Sequence, residues 1–284
     1  MSNTHNNPLS GYFRSPKLYA RLPTMGRFYE ADVLEMPETG ELPVFAMTAK
    51  DEMIMKNPDA LLNGEAVAQV IASCVPAVKK PRSLISNDVD TLLIAIQGAT
   101  QGDDIEITGK CPTCGAEDRG TVSVEGILET MTTLEESYTF DLPNGLTIEI
   151  RPFTYESTVK AGVANFKTTR SLQSLTNIED EMEQMRAFNE NFQQIAALNF
   201  ELVVDSVGSI SGTDSEGEKF IVTDRSSIRE FMENTESSVG KQVEERIKEV
   251  NAVGVNKKVM LNCEEHGEFE HEVAFDPVNF STAS

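Results

Sequence analysis

Two short segments carry side chains able to bind a metal. Lys110-Cys111-Pro112-Thr113-Cys114-Gly115 and, far downstream, Asn262-Cys263-Glu264-Glu265-His266-Gly267 share one form: two ligand side chains three apart, then a glycine. That spacing lets both donors of a segment converge from one tight turn, and the glycine accepts the positive φ the turn imposes. Three thiolates and one imidazole complete a tetrahedral zinc site with Cys111, Cys114, Cys263 and His266 as ligands. Four protein ligands leave no open position, so the zinc would be structural rather than catalytic. Two alternatives stand beside this. Cys111 and Cys114 could be a redox pair or unrelated thiols, although a redox pair is expected at the start of a helix after a buried strand. His271 is the other candidate for fourth ligand. It alternates with glutamates and is expected on the solvent face of a strand, whereas His266 holds the matching position of the second segment.

The flanks must position these ligands. Asp104-Ile105-Glu106-Ile107-Thr108 and Gly120-Thr121-Val122-Ser123-Val124 alternate polar and apolar around the first segment, and residues 257–261 and 268–275 do so around the second. Each side reads as a β-hairpin, so the pair is a zinc ribbon split across the sequence. The fold class expected is α+β: mainly helical, with this split ribbon of two β-hairpins and an inserted long αα-hairpin region. Residues 1–40 are expected as an extended N-terminal arm, 41–124 with 257–284 as a helical and ribbon domain, and 125–256 as an inserted helical domain with small β-hairpins.

In chain order, Thr48 is placed to cap a helix that Asn57-Pro58-Asp59 stops. Gly64 to Val75 reads as a second helix. A third starts at Asn87-Asp88 and runs before Gly98, giving three short helices ahead of the first hairpin. Residues 126–131 read as helical, and Pro143-Asn144-Gly145 lies between alternating strands, a hairpin signal. Val159, Val163, Phe166, Leu172 and Leu175, then Met182, Met185, Phe188, Phe192, Ile195, Leu198 and Leu202, recur near helical spacing, which predicts two antiparallel helices. The Met and Phe stripe of the second is expected in their shared seam, with part of it left for a partner. Residues 211–217 form a solvated turn between short strands and lack calcium-loop spacing. Asp224 opens a last pair of helices through Val250. Cys74 sits in an apolar run and is expected as a core thiol.

Composition narrows the function. The 284 residues carry 46 acidic and 24 basic side chains, a net charge of -22, which repels phosphate backbones and argues against a nucleic-acid partner. No stretch approaches the roughly 20 apolar residues of a membrane span, and the polar start has no apolar leader, so a soluble protein that is not secreted by that route is expected. Thiolate ligands imply a reducing compartment. Phosphate-binding glycine loops, a Gly-x-Ser-x-Gly elbow and His-Glu-x-x-His are all absent, and with only three histidines no acid-base constellation can be assembled. The chain is expected to act by binding, without catalytic residues. Tyr12, Phe13 and Tyr19 of the arm, Met185, Phe188 and Phe192 of the long helix, and Phe280 near the end are the candidate contacts.

An ordered run of short motifs adds to this: Leu42-Pro43-Val44, Met47-Thr48-Ala49-Lys50-Asp51-Glu52, residues 57–64 (Asn-Pro-Asp-Ala-Leu-Leu-Asn-Gly), Cys74-Val75-Pro76, residues 90–96, the segment at Cys111, and Phe275-Asp276-Pro277-Val278-Asn279-Phe280. The chain resembles the baseplate hub assembly proteins of T-even-type myoviruses over about residues 20–125 and the C-terminal hairpin, and the resemblance does not extend to residues 125–256. Members of that family carry Cys-x-x-Cys at the second segment, so His266 is a departure. The resemblance implies a non-enzymatic bacteriophage tail protein, acting in assembly of the central baseplate hub or as its component. Its partners would be other tail proteins, the baseplate hub and the tape measure among them. Its places would be the host cytoplasm during tail assembly and the virion tail baseplate. Two rival readings remain: a zinc-ribbon adaptor of transcription or other host-type machinery, which a basic face on the ribbon would favour, and a metal-dependent hydrolase, which an open metal position would favour.

Overall fold

A computed structural model describes Leu9, residues 12–175 and residues 181–272. Its architecture is α+β: helices carry more of the described residues than strands do, and small antiparallel sheets are set among them. The first core forms around α4 (Ser86–Gln101), whose residues from Asn87 to Gly98 are almost continuously buried. Against α4 pack β1 (Pro16–Ala20), β2 (Leu42–Phe45) and α3 (Glu65–Cys74), and on α3 pack α1 (Ala49–Met55) and α2 (Pro58–Leu62). Leu22, Leu42, Ile71, Cys74, Leu84, Leu92 and Ile96 are fully enclosed there.

Thr48 caps α1, its hydroxyl accepting from the Asp51 amide while the Asp51 carboxylate accepts from the Thr48 amide, a complete capping box. Asn57-Pro58 then starts a helix instead of only stopping one. The Asn57 side chain accepts from the Asp59 and Ala60 amides, and proline at the first helical position has no N–H to lose. Four helices therefore precede the first hairpin, and α4 passes through Gly98 to end at Gly102 (φ 106°).

From Arg14 onward the stretch expected as an extended arm is held down. The Arg14 guanidinium donates to the main-chain oxygens of Ala46 and Ser73 (both 2.5 Å) and lies 5.7 Å from the Phe45 ring centroid. Pro16–Ala20 then pairs antiparallel with Leu42–Phe45.

A second core brings together β5 (Tyr138–Asp141), β6 (Thr147–Ile150), β7 (Val207–Thr213) and β8 (Lys219–Val222) as one antiparallel sheet in sequence order. Helices α8 (Arg225–Asn234) and α9 (Ser237–Asn251) join it. The long helices α6 (Tyr155–Leu175) and α7 (Glu181–Ser206) pack on each other as the expected αα-hairpin. Their seam is a correction, however. It is built from small and polar groups: Thr168 and Asn191 are buried, and the Asn191 amide donates to the Ser171 hydroxyl at 3.0 Å. Met182, Met185, Phe188 and Phe192 are 53–67 % exposed. At 3.6 residues per turn Phe188, Phe192 and Met185 lie about 60°, 100° and 120° around the helix from Asn191, beside the seam and not in it.

Among the described residues no helix is long and apolar enough to cross a membrane.

Candidate metal centre

The cysteines reach one another because the first core delivers both hairpins to the same place. At its C-terminus α4 turns through Gly102 into β3 (Asp104–Lys110), which pairs with β4 (Glu117–Ser123) and leads into α5 (Val124–Glu129). The second hairpin, β9 (Lys258–Cys263) with β10 (Gly267–Glu272), follows α9 through residues 252–257. This connection is stitched to α4 and to the segment after α5. The buried Asn87 amide donates to the Val253 oxygen, Lys257 pairs with Asp90, the Thr132 amide donates to Gly254, and the Asn256 amide donates to the Thr130 hydroxyl. Residues 149 positions apart are thus brought into contact.

The two hairpins meet through a close approach. A side-chain carbon at Gly109 or Gly120 would lie 2.4–2.5 Å from Leu261, so the two glycines make room for that leucine. The Asn262 amide donates to the Asp118 carboxylate at 2.8 Å. Ile107, Cys111, Leu261, Cys263 and Phe269 form the small core beneath.

At the tips, Gly115 (φ 74°) and Gly267 (φ 78°) take the left-handed conformation expected after each pair. The Gly115 amide donates to the Cys111 oxygen at 2.9 Å, which closes the first turn. The donor atoms of Cys111, Cys114, Cys263 and His266 all lie within 4.8 Å of one another and could hold a metal ion. Cys114 and Cys263 sulfurs are 3.7 Å apart, and the Cys263 sulfur is 3.7 Å from His266 Nδ1. A disulfide needs about 2.05 Å, whereas ligands of one tetrahedral ion with metal–sulfur bonds of about 2.3 Å stand about 3.8 Å apart. Main-chain amides of Cys114 and Thr113 donate to the Cys111 sulfur and lower its thiol to about 7, toward the thiolate a metal requires. For Cys114 the Ala116 amide acts in the same direction, but burial and the neighbouring thiols outweigh it, so the net shift is upward. Cys111 and Cys263 are buried, Cys114 and His266 exposed, which sets the cluster at the rim of the protein.

His271 is not in the cluster. On a strand, alternate residues share a face, so His271 lies with buried Phe269 and against Gly109, opposite the face of Glu270 and Glu272. This corrects the expectation of a solvent-facing His271. Of the candidate contacts, Tyr12, Phe13 and Tyr19 are exposed at 87, 65 and 63 %, Met185, Phe188 and Phe192 are exposed as above, and Phe280 lies outside the described residues. Sequence reading missed the contact of buried Thr24 and Asp88 with half-buried Tyr29, in which the Thr24 and Tyr29 hydroxyls each donate to Asp88 Oδ2 at 2.5 Å. In the sequence Asp88 reads only as part of a helix start, and nothing in the spacing of Thr24 or Tyr29 marks them as its partners.

A family described as T4 bacteriophage base plate protein matches residues 29–280. The match runs through residues 125–256, which the motif resemblance had left out. No curated protein matches, and no solved structure matches.

Proposed function

The chain belongs to the T4 bacteriophage base plate protein family, and from that premise we propose that it acts in assembly of the central baseplate hub, or as its component, by binding other tail proteins and without turnover. Membership itself implies a structural protein of the virion tail in contact with other tail proteins. The family match over residues 29–280 supports the baseplate reading, and the ordered motifs from Leu42 to Phe280 are what favour the hub within it. A place in the host cytoplasm during assembly follows from the same reading and accords with the thiols, which persist as metal ligands under reducing conditions.

The metal in this reading is one structural Zn²⁺ held by Cys111, Cys114, Cys263 and His266. The support is the donor set, three sulfurs and one imidazole, together with the 3.7 Å spacing between donors. The ion closes a loop of more than a hundred residues, and so fixes the two ends of residues 125–256 together beside α4. Tyr12, Phe13, Tyr19, Met185, Phe188 and Phe192 are the proposed contact residues, apolar groups that stay exposed after folding. The hairpins themselves carry Glu117, Asp118, Glu264, Glu265, Glu268 and Glu270 beside a few lysines, a surface that favours no phosphate backbone.

Infection of cells in which this protein is removed tests the function. The expected result is an accumulation of incomplete baseplates, restored by supplying the protein in trans. Tails of normal structure and number in its absence would overturn the reading. Elemental analysis of protein purified without chelator tests the metal, with one zinc per chain expected and a metal-free, folded protein excluding it.

A further inference from the structure

Among the described residues strand β1 is paired along one edge only, with β2, and its other edge is open. Opposite Tyr19 in the ladder stands Pro43, which has no N–H to donate. In an antiparallel pair hydrogen-bonded and non-hydrogen-bonded positions alternate, so Leu18 and Ala20 exchange bonds with Val44 and Leu42, and the main-chain N–H and C=O of Tyr19 point away from β2. Beside that edge lies a groove of about 710 Å³. One wall is β1 itself with Lys17, Tyr19 and Arg21, apolar lining comes from Val124 and Leu128, and Asp103, Glu125 and Glu129 stand along it as well. None of these three carboxylates is in an ion pair among the described residues. Asp103 is held below the usual carboxylate range by the Glu125 amide and the Ser123 hydroxyl, and is therefore charged.

We propose that this groove takes an extended segment of a basic partner protein as a third strand beside β1, with lysine or arginine at alternate positions reaching Asp103, Glu125 and Glu129. An open strand edge matches only an extended backbone. Alternate residues of a strand share a face, so one face can rest on Val124 and Leu128 while charged side chains extend to the acids. The chain's net charge of -22 draws a basic partner to it. A bulge at Lys17 and the shortness of the open edge guard against indiscriminate pairing, which leaves the charge match to select the occupant. The proposal rests on the binding role inferred above and names its mode and the partner's chemistry.

A capped peptide alternating valine and lysine serves as probe, with its valine–glutamate counterpart as control. Amide exchange at Tyr19 and fluorescence anisotropy are read on the full chain. The lysine peptide is expected to bind and to slow exchange at Tyr19, with the glutamate peptide binding at least about tenfold more weakly. Tyr19→Pro removes the outward N–H and leaves the Leu18 and Ala20 bonds in place, a substitution tolerated at an edge. It should weaken binding by roughly three- to tenfold, the worth of one hydrogen bond. Should that variant fail to fold, the Glu125→Lys/Glu129→Lys double variant decides, with a loss of about tenfold expected. Equal binding of both peptides, no binding, or binding unchanged in these variants would overturn the proposal. So would a Tyr19 amide protected in the free chain and released by ending it after Glu272, since the chain's own last residues would then fill the groove. Protein that still joins baseplates while the peptide fails leaves the hub reading standing and removes only the groove.

Discussion

The core around α4 and the paired hairpins at the Cys/His cluster differ in how much of them is buried. Around α4, side chains from two strands and four helices close over one another, and Leu22, Leu42, Ile71, Leu84, Leu92 and Ile96 are fully enclosed. Between the two hairpins the buried cluster is small, Ile107, Cys111, Leu261, Cys263 and Phe269, and two of those five are candidate ligands. Two-stranded hairpins are marginal on their own in water. With the proposed zinc in place the hairpins would depend on a point constraint where the α4 region depends on burial, and each should then fail in its own way.

The largest difference is expected on metal removal. Chelation, or Cys263→Ser, should release zinc and unfold both hairpins locally, with a loss on the order of 10 kcal/mol as in other structural zinc sites. Amide exchange would rise in β9 and β10 while α4 stays protected, and hairpin amides still protected without metal would break the contrast. His266→Ala should do the same, and His271→Ala should keep the ion.

Leu92→Ala tests the other side. Emptying a fully buried site costs about 2–5 kcal/mol, which urea unfolding would register as a global loss, with zinc content unchanged in the folded protein. Zinc loss from the native state of this variant would mean that the two regions are not separable.

Asp88 probes how the α4 core handles a charge. Burial raises its carboxyl from 3.8 to about 6, against the hydroxyls of Thr24 and Tyr29 and the Thr24 amide, which favour the charged form. The folded protein thus holds a proton that the unfolded chain has released. The stability this contributes is present below about pH 4 and is lost as pH rises through about 6. Relative to Asp88→Asn, the native protein should lose up to about 3 kcal/mol between those limits, at about 1.36 kcal/mol per pH unit. Urea midpoints for both proteins across that range measure it, and a flat difference would refute it.

The smallest effect is expected on the exposed flank of α7. Phe188→Ser and Phe192→Ser should each change stability by no more than about 0.5 kcal/mol, as surface substitutions do, while retention of tail proteins in co-purification falls. A large loss of stability would return these side chains to the helix seam.

Much of both regions was legible. The Cys-x-x-Cys and Cys-x-x-His spacings, each with its glycine, marked four groups that do converge, because a tight turn is specified by residues adjacent in sequence. Thr48 and Asp224 marked helix starts for the same reason, and both cap in the structure. The helix at Pro58 was missed because Asn-Pro serves equally as a stop and as a cap, and only the continuing chain separates the two.

What the sequence by itself determined is therefore local: the periods that make strands and helices, the caps and turns, the ligand types, and a charge balance unsuited to nucleic acid. What only the tertiary structure decided is which face of each element is covered. The period of α7 allowed its Met and Phe stripe to face α6, but Asn191 and Thr168 took that seam and left the stripe outside. The period of β10 put His271 opposite its glutamates, yet the contact came from Gly109 on a hairpin more than 150 residues away. Which residues of β1 turn their main chain away from β2 is settled by Pro43 across the ladder. Periodicity fixes which residues share a face, whereas the cover on that face comes from residues far along the chain, whose approach is set by the packing of the whole.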